Sequence, residues 1–393
     1  MTNSRRRFLR YLAASPLLGS AFSQSASQKA ADVLSVMDFE ELAHAKLPPA
    51  HWGYMMSGVD DNLTRDANHA AYQRIQLRPH RLVDVSNPNL GVNLYGIQWP
   101  SPIFLCPLGG QKMFHPEGEV ASARAAKSRT AIQILSTQTS ISYEEVKDAL
   151  GRPPWYQLYM PQKWDDTEKL IHRVEAAGCR GLVWTIDLLG GRNTEYATRM
   201  ARTDTRDCYS CHVQGPNGVG VARASSHSPM FTGLSSTAIN PAGATWEYVD
   251  RLKKLTTMKL LLKGIETRED AKLAREHGVD GIIVSNHGGR ATEDLRPTIE
   301  SLPEVIDGAG PEIPVLVDGG IRRGTDVYKA LALGAKAVGI GRPYVWGLTA
   351  FGQEGVERVL DILRAELQLT MRQCGTPTVA QITRASVGVI ERR

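Results

Sequence analysis

From about residue 100 onward the chain alternates short apolar runs with amphipathic stretches. The runs are Ile103–Cys106, Ile132–Leu135, Trp155–Leu158, Gly181–Ile186, Leu260–Lys263, Gly281–Val284, Val315–Val317 and Ala337–Ile340. Each is too short for a helix, and apolar residues follow one another without alternation, the pattern of a parallel strand buried on both faces. Between them, segments such as Glu117–Lys127 and Asp165–Ala177 repeat apolar residues at helical spacing. Eight such units predict an α/β fold, a TIM (β/α)8 barrel. A doubly wound sheet is the rival, but no Gly-x-Gly-x-x-Gly opens the first unit. Residues 31–100 predict an N-terminal helical cap. A terminal helix near Gly355–Arg372 carries Val356, Val359, Leu360, Leu363 and Leu367 on one face.

The spacing breaks once, between Ile186 and Leu260, where a connection is normally a handful of residues. Within it, Met200–Thr237 is rich in Ser, Gly, Thr and Arg, which predicts a long mobile loop after strand 4, a lid or docking surface on the catalytic face. Residues 1–30 read separately. Ser4-Arg5-Arg6-Arg7-Phe8-Leu9 opens a weakly apolar stretch through Gly19, interrupted by Arg10, with small residues at Ser20–Ser23. That pattern predicts a twin-arginine signal peptide and a periplasmic protein, with an ordinary basic arm as the alternative. The stretch is too short and polar for a permanent membrane span. The expected organisation is therefore a leader, 1–30, and one barrel unit, 31–393, carrying the loop 200–237.

Formal charge is +5, but four arginines sit in the leader, which leaves the rest near neutral. No basic stripe interleaved with aromatics appears, so nucleic-acid binding has no support. Five cysteines do not make a disulfide framework for 393 residues; Cys106 and Cys179 read as packing thiols.

Chemistry collects at the C-terminal ends of the strands, where barrels of this kind keep their reactive groups. Strand 6 runs into Ser285-Asn286-His287-Gly288-Gly289-Arg290, which places a proton acceptor and a cation around a glycine pair. A core histidine is the plainer reading, but structural histidines rarely occupy such a turn. Asp187 ends strand 4, where it can orient His287 and favour its protonated form. Lys263 ends strand 5, and a lysine in a barrel mouth is costly unless it meets an anion. Ser136 closes strand 2, and Gln157 and Tyr159 alternate across the end of strand 3. Strand 7 leads into Asp318-Gly319-Gly320-Ile321-Arg322-Arg323-Gly324, and strand 8 into Gly341-Arg342. Two Gly-rich turns in that order, each with an Arg, predict a phosphate site.

Tyr54-Met55-Met56-Ser57-Gly58, His115-Pro116-Glu117-Gly118-Glu119, Gln157-Leu158-Tyr159, Leu262-Lys263-Gly264, Ser285–Arg290 and Asp318–Ala335 together resemble the FMN-dependent α-hydroxy-acid oxidase and dehydrogenase family. That family includes glycolate oxidase, lactate oxidase, mandelate dehydrogenase and flavocytochrome lactate dehydrogenase. The resemblance spans about Asp38 to Thr383. It implies oxidation of a 2-hydroxy acid to a 2-oxo acid, with His287 as base and Asp187 pairing with its imidazolium. Tyr54 and Arg290 hold the substrate carboxylate, Tyr159 bonds the hydroxyl side, and Lys263 faces the flavin and stabilises its reduced anionic ring. Ser136, Gln157 and Thr185 bind the flavin edge, and the backbone at Leu108 and Gly109 its N5 side. Ser285, Asp318, Gly320, Arg322, Gly341 and Arg342 complete the cofactor set, cradling ribityl and phosphate. The resemblance also implies a homotetramer.

The chain departs from that family in three places. The usual second substrate-binding Arg falls on Thr194, while Arg192 lies two residues earlier and either substitutes or leaves the clamp to Arg290 and Tyr54. Gln138 replaces a bulky aromatic, and Pro107-Leu108-Gly109-Gly110 replaces a Pro-Thr-Ala turn. A roomier or more polar pocket, and an altered, larger hydroxy acid, are expected. Finally, Cys208-Tyr209-Ser210-Cys211-His212 has the spacing of haem c attachment, with a loop disulfide, a metal clip or free thiols as alternatives. Export and this motif favour a dehydrogenase that passes electrons to a cytochrome or quinone rather than to oxygen. An electron-transfer flavoprotein or an isomerase on the same scaffold are the other readings.

Overall fold

The computed structural model describes residues 29–206 and 228–389, and within the intervening stretch only the backbone of 214–215 and 218–219. The leader (residues 1–28 of it) and Cys208, Cys211 and His212 lie outside the described residues. Eight parallel strands close into a barrel: β1 (Ile103–Leu105), β2 (Ile132–Ser136), β3 (Trp155–Leu158), β4 (Gly181–Thr185), β5 (Lys259–Ile265), β6 (Gly281–Val284), β7 (Val315–Asp318) and β8 (Val338–Ile340). Neighbours in sequence are neighbours in space, and β8 closes on β1 through Val338 beside Ile103. All eight strands fall where the apolar runs lie.

Three helices precede the barrel: α1 (Asp38–Lys46), α2 (Pro49–Met56) and α3 (Leu63–Ala70). The helices that follow are α4 (Gly118–Ser128), α5 (Tyr143–Leu150), α6 (Trp164–Ala176), α7 (Glu195–Thr203), α8 (Trp246–Leu255), α9 (Arg268–Glu276), α10 (Thr298–Ala309), α11 (Gly324–Ala332) and α12 (Arg342–Cys374), of which α7 packs against α2. Local chemistry starts and stops them. Ser142 accepts a hydrogen bond from the Glu145 amide at the start of α5, and left-handed Gly151 ends it. Thr267 caps α9 in the same way through Asp270. The end of α12 contains the expected terminal helix, and Val356, Val359, Leu360, Leu363 and Leu367 are all buried.

Two cores result. One lies between the sheet and the helices; the other fills the barrel, with Phe104, Ile134, Trp155, Val183, Leu261, Ile283 and Leu316 packed together inside it. The barrel is thus a packed solid, and a ligand must sit at its end.

Two expectations need correction. Residues 31–100 are not wholly helical. A hairpin, Val92–Leu94 with Ile97–Trp99, follows the three helices and packs Leu94 and Trp99 into the interior core. Its turn, Tyr95-Gly96, has both residues at positive φ, as a two-residue hairpin demands. Val92, Leu94, Ile97 and Trp99 repeat with the strand period, not the helical one. The loop expected from Met200 also begins later, because Met200–Thr203 form the last turn of α7.

Helix α12 breaks at Phe351–Gly352, where φ leaves the helical range, and its two halves then touch. A Cβ on Gly355 would lie 1.9 Å from the Gly347 carbonyl oxygen. Gly355→Ala is therefore expected to destabilise the fold by about 3 kcal/mol, the upper end of overpacking costs. A urea midpoint unchanged from the parent protein would contradict that close approach.

Candidate active site

The strand register brings the polar strand-end residues to one level. Ser136 lies beside Gln157, Thr185 beside Lys263, and Asp318 beside Gly339. They line or underlie a cavity of about 390 Å³ at the C-terminal mouth, a size suited to a cofactor and small substrate. Tyr54, Leu108, Gly109, Ser136, Tyr159 and Arg192 line it, as do Lys263, His287, Arg290, Asp318, Gly320, Arg322, Gly341 and Arg342.

His287 stands in a strained turn. Its φ is +59, followed by Gly288 at +68 and Gly289 at +74, a run that only glycine adopts cheaply. A Cβ on Gly289 would meet the Arg65 backbone nitrogen at 2.3 Å, so helix α3 packs against this turn. Asn286 holds it from below. Its side-chain oxygen accepts from the Gly289 amide at 2.9 Å and from Asn68 at 2.8 Å, and its amide donates to the Arg296 carbonyl at 3.0 Å. Sequence reasoning passed over Asn68 and Asn286. Two asparagines 218 positions apart carry no local sign that they pair.

His287 Nδ1 lies 3.0 and 3.2 Å from the two Asp187 oxygens, and Nε2 lies 3.2 Å from the Tyr159 hydroxyl. With Nδ1–H donating to the carboxylate, Nε2 is left as the acceptor on the cavity side. Asp187 comes this close because a Cβ on Gly264 would strike it at 2.8 Å. Burial pushes the imidazole pKa down to about 4; Asp187 opposes this, while Lys263 and Arg192 reinforce it. Asp187 is itself held below the ordinary carboxylate range, because His287 and Lys263 outweigh its burial. We take the pair as an ionised carboxylate and a neutral imidazole.

Beneath the cavity lies a second network. Lys263 Nζ donates to Ser285 Oγ at 2.7 Å and sits 3.3 Å from Asp318 Oδ2, while Ser285 Oγ donates to Asp318 Oδ1 at 2.7 Å. Burial alone would lower the lysine pKa, yet Asp318 and Asp187 raise it, so the ammonium stays charged. Glu266, just beyond the end of β5, behaves oppositely. Burial, with Asp294 and Asp187 adding to it, lifts its carboxyl pKa to about 8, and its Oε2 has no partner among the described residues. Nothing in the sequence marked it.

Cations outnumber anions around the mouth. Arg290 donates through Nη1 to the carbonyls of Tyr54 and Ser57 and to the Ser57 hydroxyl, at 2.6, 2.7 and 2.9 Å. Its charge lies 5.0 Å from the Tyr54 ring centre. Arg342 donates to the carbonyls of Met55, Gly288 and Ser57, and Arg322 stacks 4.7 Å over Trp346. Burial pulls the pKa of Arg290 and of Arg322 down to about 10, and that of Arg342 down as well, helped by repulsion from Arg290 and Arg322. Such crowding calls for anions. Thr194 takes the N-cap position of α7 without a side-chain capping bond and does not line the cavity, whereas Arg192 does and has no ion pair among the described residues.

The chain matches the model of the FMN-dependent dehydrogenase family over residues 43–389. It belongs to that family. A peroxisomal (S)-2-hydroxyacid oxidase of Arabidopsis thaliana is 39% identical over 360 residues, covering 90% of this chain and 96% of that one. Glycolate oxidase 1 of Zea mays is 38% identical over 360 residues, covering 91% and 96%. A crystal structure of mandelate oxidase with benzoyl-formic acid matches with a TM-score of 0.78 and 34% identity, covering 91% and 98%. The chain is an FMN-dependent oxidoreductase. The expectation of a periplasmic, twin-arginine-exported protein is corrected: matching relatives are peroxisomal oxidases of Arabidopsis thaliana and rice, which points away from the periplasm. A few arginines before a weakly apolar run are a short pattern with little specificity.

The residues present fit FMN. Gln157 Nε2, beside Ser136, and Thr185 Oγ1, beside Lys263, are buried with no partner among the described residues, as groups awaiting the polar edge of a flat ring are. A Cβ on Gly341 would meet no protein atom, which leaves the backbone at the start of α12 open to a phosphate beside Arg322 and Arg342. In the cofactor-free protein His287 is expected to stay neutral down to about pH 4. Imidazole nitrogen NMR checks this; a midpoint near the ordinary 6.5 would remove burial as the dominant influence.

Proposed function

We propose that the protein oxidises an (S)-2-hydroxy acid to the 2-oxo acid and passes the electrons to oxygen. One observation carries the reading: a neutral His287, backed by Asp187 and touching Tyr159, shares a cavity with Arg290 and Tyr54 in an FMN-dependent family. The names of the relatives supply the substrate class and the acceptor.

Oxidation at C2 releases two protons and two electrons, and bound FMN supplies the electron acceptor. Arg290, its Nη1 tied to Tyr54 and Ser57, holds the substrate carboxylate with the Tyr54 hydroxyl, and Arg192 adds the second cation. Tyr159 bonds the hydroxyl side, and Nε2 of His287 takes up a proton as the C2 bond is oxidised. The imidazolium is then paired with Asp187 at 3.0 Å rather than left bare in a buried site. Lys263, held charged by Asp318, would offset negative charge on bound FMN. Ser136, Gln157, Thr185 and the backbone of Leu108 and Gly109 hold the flavin edge; Ser285, Asp318, Gly320, Arg322, Gly341 and Arg342 hold the rest.

The earlier preference for a cytochrome or quinone acceptor leaned on export, and relatives named as oxidases support oxygen instead. Mixing the holoenzyme anaerobically with a panel of (S)-2-hydroxy acids should bleach the flavin with at least one of them. Admitting oxygen should restore the colour with one equivalent of hydrogen peroxide. His287→Asn should keep the flavin but bleach about 10²–10⁴-fold more slowly. Unchanged bleaching in that variant, or none with any acid in the parent enzyme, would defeat the proposal; reoxidation only by a quinone analogue would defeat the acceptor.

A further inference from the structure

The cavity wall near Tyr159 holds two amide oxygens without hydrogen-bond partners among the described residues. Gln138 Oε1 and Asn240 Oδ1 are both buried, both belong to cavity-lining residues, and neither has a hydrogen-bond partner among the described residues. Buried amides of that kind are rare and normally paired. Resting on the function proposed above, we propose that the preferred substrate is a 2-hydroxy acid whose side chain carries an uncharged hydrogen-bonding group, a hydroxyl or an amide, recognised by Gln138 and Asn240.

Both amides are mounted on fixed backbone beside Tyr159. Gln138 follows Thr137, whose hydroxyl donates to the Gln157 carbonyl at 2.6 Å and accepts from the Tyr159 amide at 3.0 Å. The Gln138 amide donates to Ser136 Oγ at 3.2 Å, and its carbonyl accepts from the Gly110 amide at 2.9 Å. A Cβ on Gly109 would meet Gln138 Cβ at 2.5 Å. The altered turn after β1 and the altered residue after β2 are thus one change: glycine makes room for Gln138.

Asn240 arrives from the other side of Tyr159. Its amide donates to the Met160 carbonyl at 2.7 Å, and Ile239 forms a β-bridge with Pro161. Its φ is +57, a conformation asparagine tolerates better than most residues. Farther back, Ser228 Oγ donates to the Thr137 carbonyl at 2.7 Å, which fastens the same connection to β2. Gln138 and Asn240 therefore flank the tyrosine assigned to the substrate hydroxyl, where a substituent on C2 would lie.

Charge narrows the class. Arg290 and Arg192 serve the single carboxylate, while the flanking pair is neutral and offers both donors and acceptors. A methyl or phenyl substituent would leave both amides unpaired, and a site built to bond a hydroxyl rejects the analogue that lacks it.

L-Lactate and L-glycerate differ by one side-chain hydroxyl and make a matched pair. For the holoenzyme, kcat/KM from anaerobic flavin bleaching should favour glycerate by about tenfold or more. Calorimetric titration of the oxidised holoenzyme should show the same preference for hydroxypyruvate over pyruvate. Gln138→Leu and Asn240→Gly, the latter keeping the positive φ, should together abolish the preference, while FMN binds as tightly as before. Equal or better use of lactate, a preference that survives both substitutions, or weakened FMN binding in Gln138→Leu would overturn the assignment. If both acids bleach the flavin equally, only this inference falls; if no acid in the wider panel does, the proposed oxidation falls and this falls with it.

Discussion

A charged lysine held under the barrel mouth is the constraint on which the site depends. Lys263 is almost wholly enclosed, and an ammonium there would lose its proton without a partner. Asp318 and Ser285 supply one from the next two strands, so β5, β6 and β7 are tied by a single ionic network. Buried ion pairs of this kind add little stability over apolar packing. This one keeps a positive charge at the base of the cavity.

The rest of the mouth follows the same electrostatic logic. Three half-buried arginines, Arg290, Arg322 and Arg342, are fastened to backbone carbonyls or an aromatic face, and their pKa values are depressed by desolvation. They are held in place and underneutralised, a state that favours anionic ligands. His287 is the counterpart: enclosed, neutral and in a left-handed turn that Asn286 and helix α3 hold in place. Fold stability is traded locally for a neutral imidazole at the cavity wall.

Much of this was legible along the chain. Every barrel strand announced itself as an apolar run, and His287, Lys263, Asp187 and Arg290 lie at the strand ends where they were expected. Arg192, ambiguous by counting, lines the cavity, while Thr194 takes the N-cap position of α7 and does not line it. What escaped notice has no periodic or local signal. The Tyr95–Trp99 plug, the Asn68–Asn286 pair, Asn240 and Glu266 matter through neighbours far away in sequence.

By itself the sequence determined the barrel, the level at which its polar residues gather, and the family. Strand period and turn chemistry are short-range properties, so residues at the ends of parallel strands share one rim whatever the loops do. Only the tertiary structure decided which loop residues enter that rim, how deeply His287 is desolvated, and that Gln138 and Asn240 line the same cavity as Tyr159. Those outcomes depend on through-space approach and the exclusion of water, which no pattern along the chain encodes.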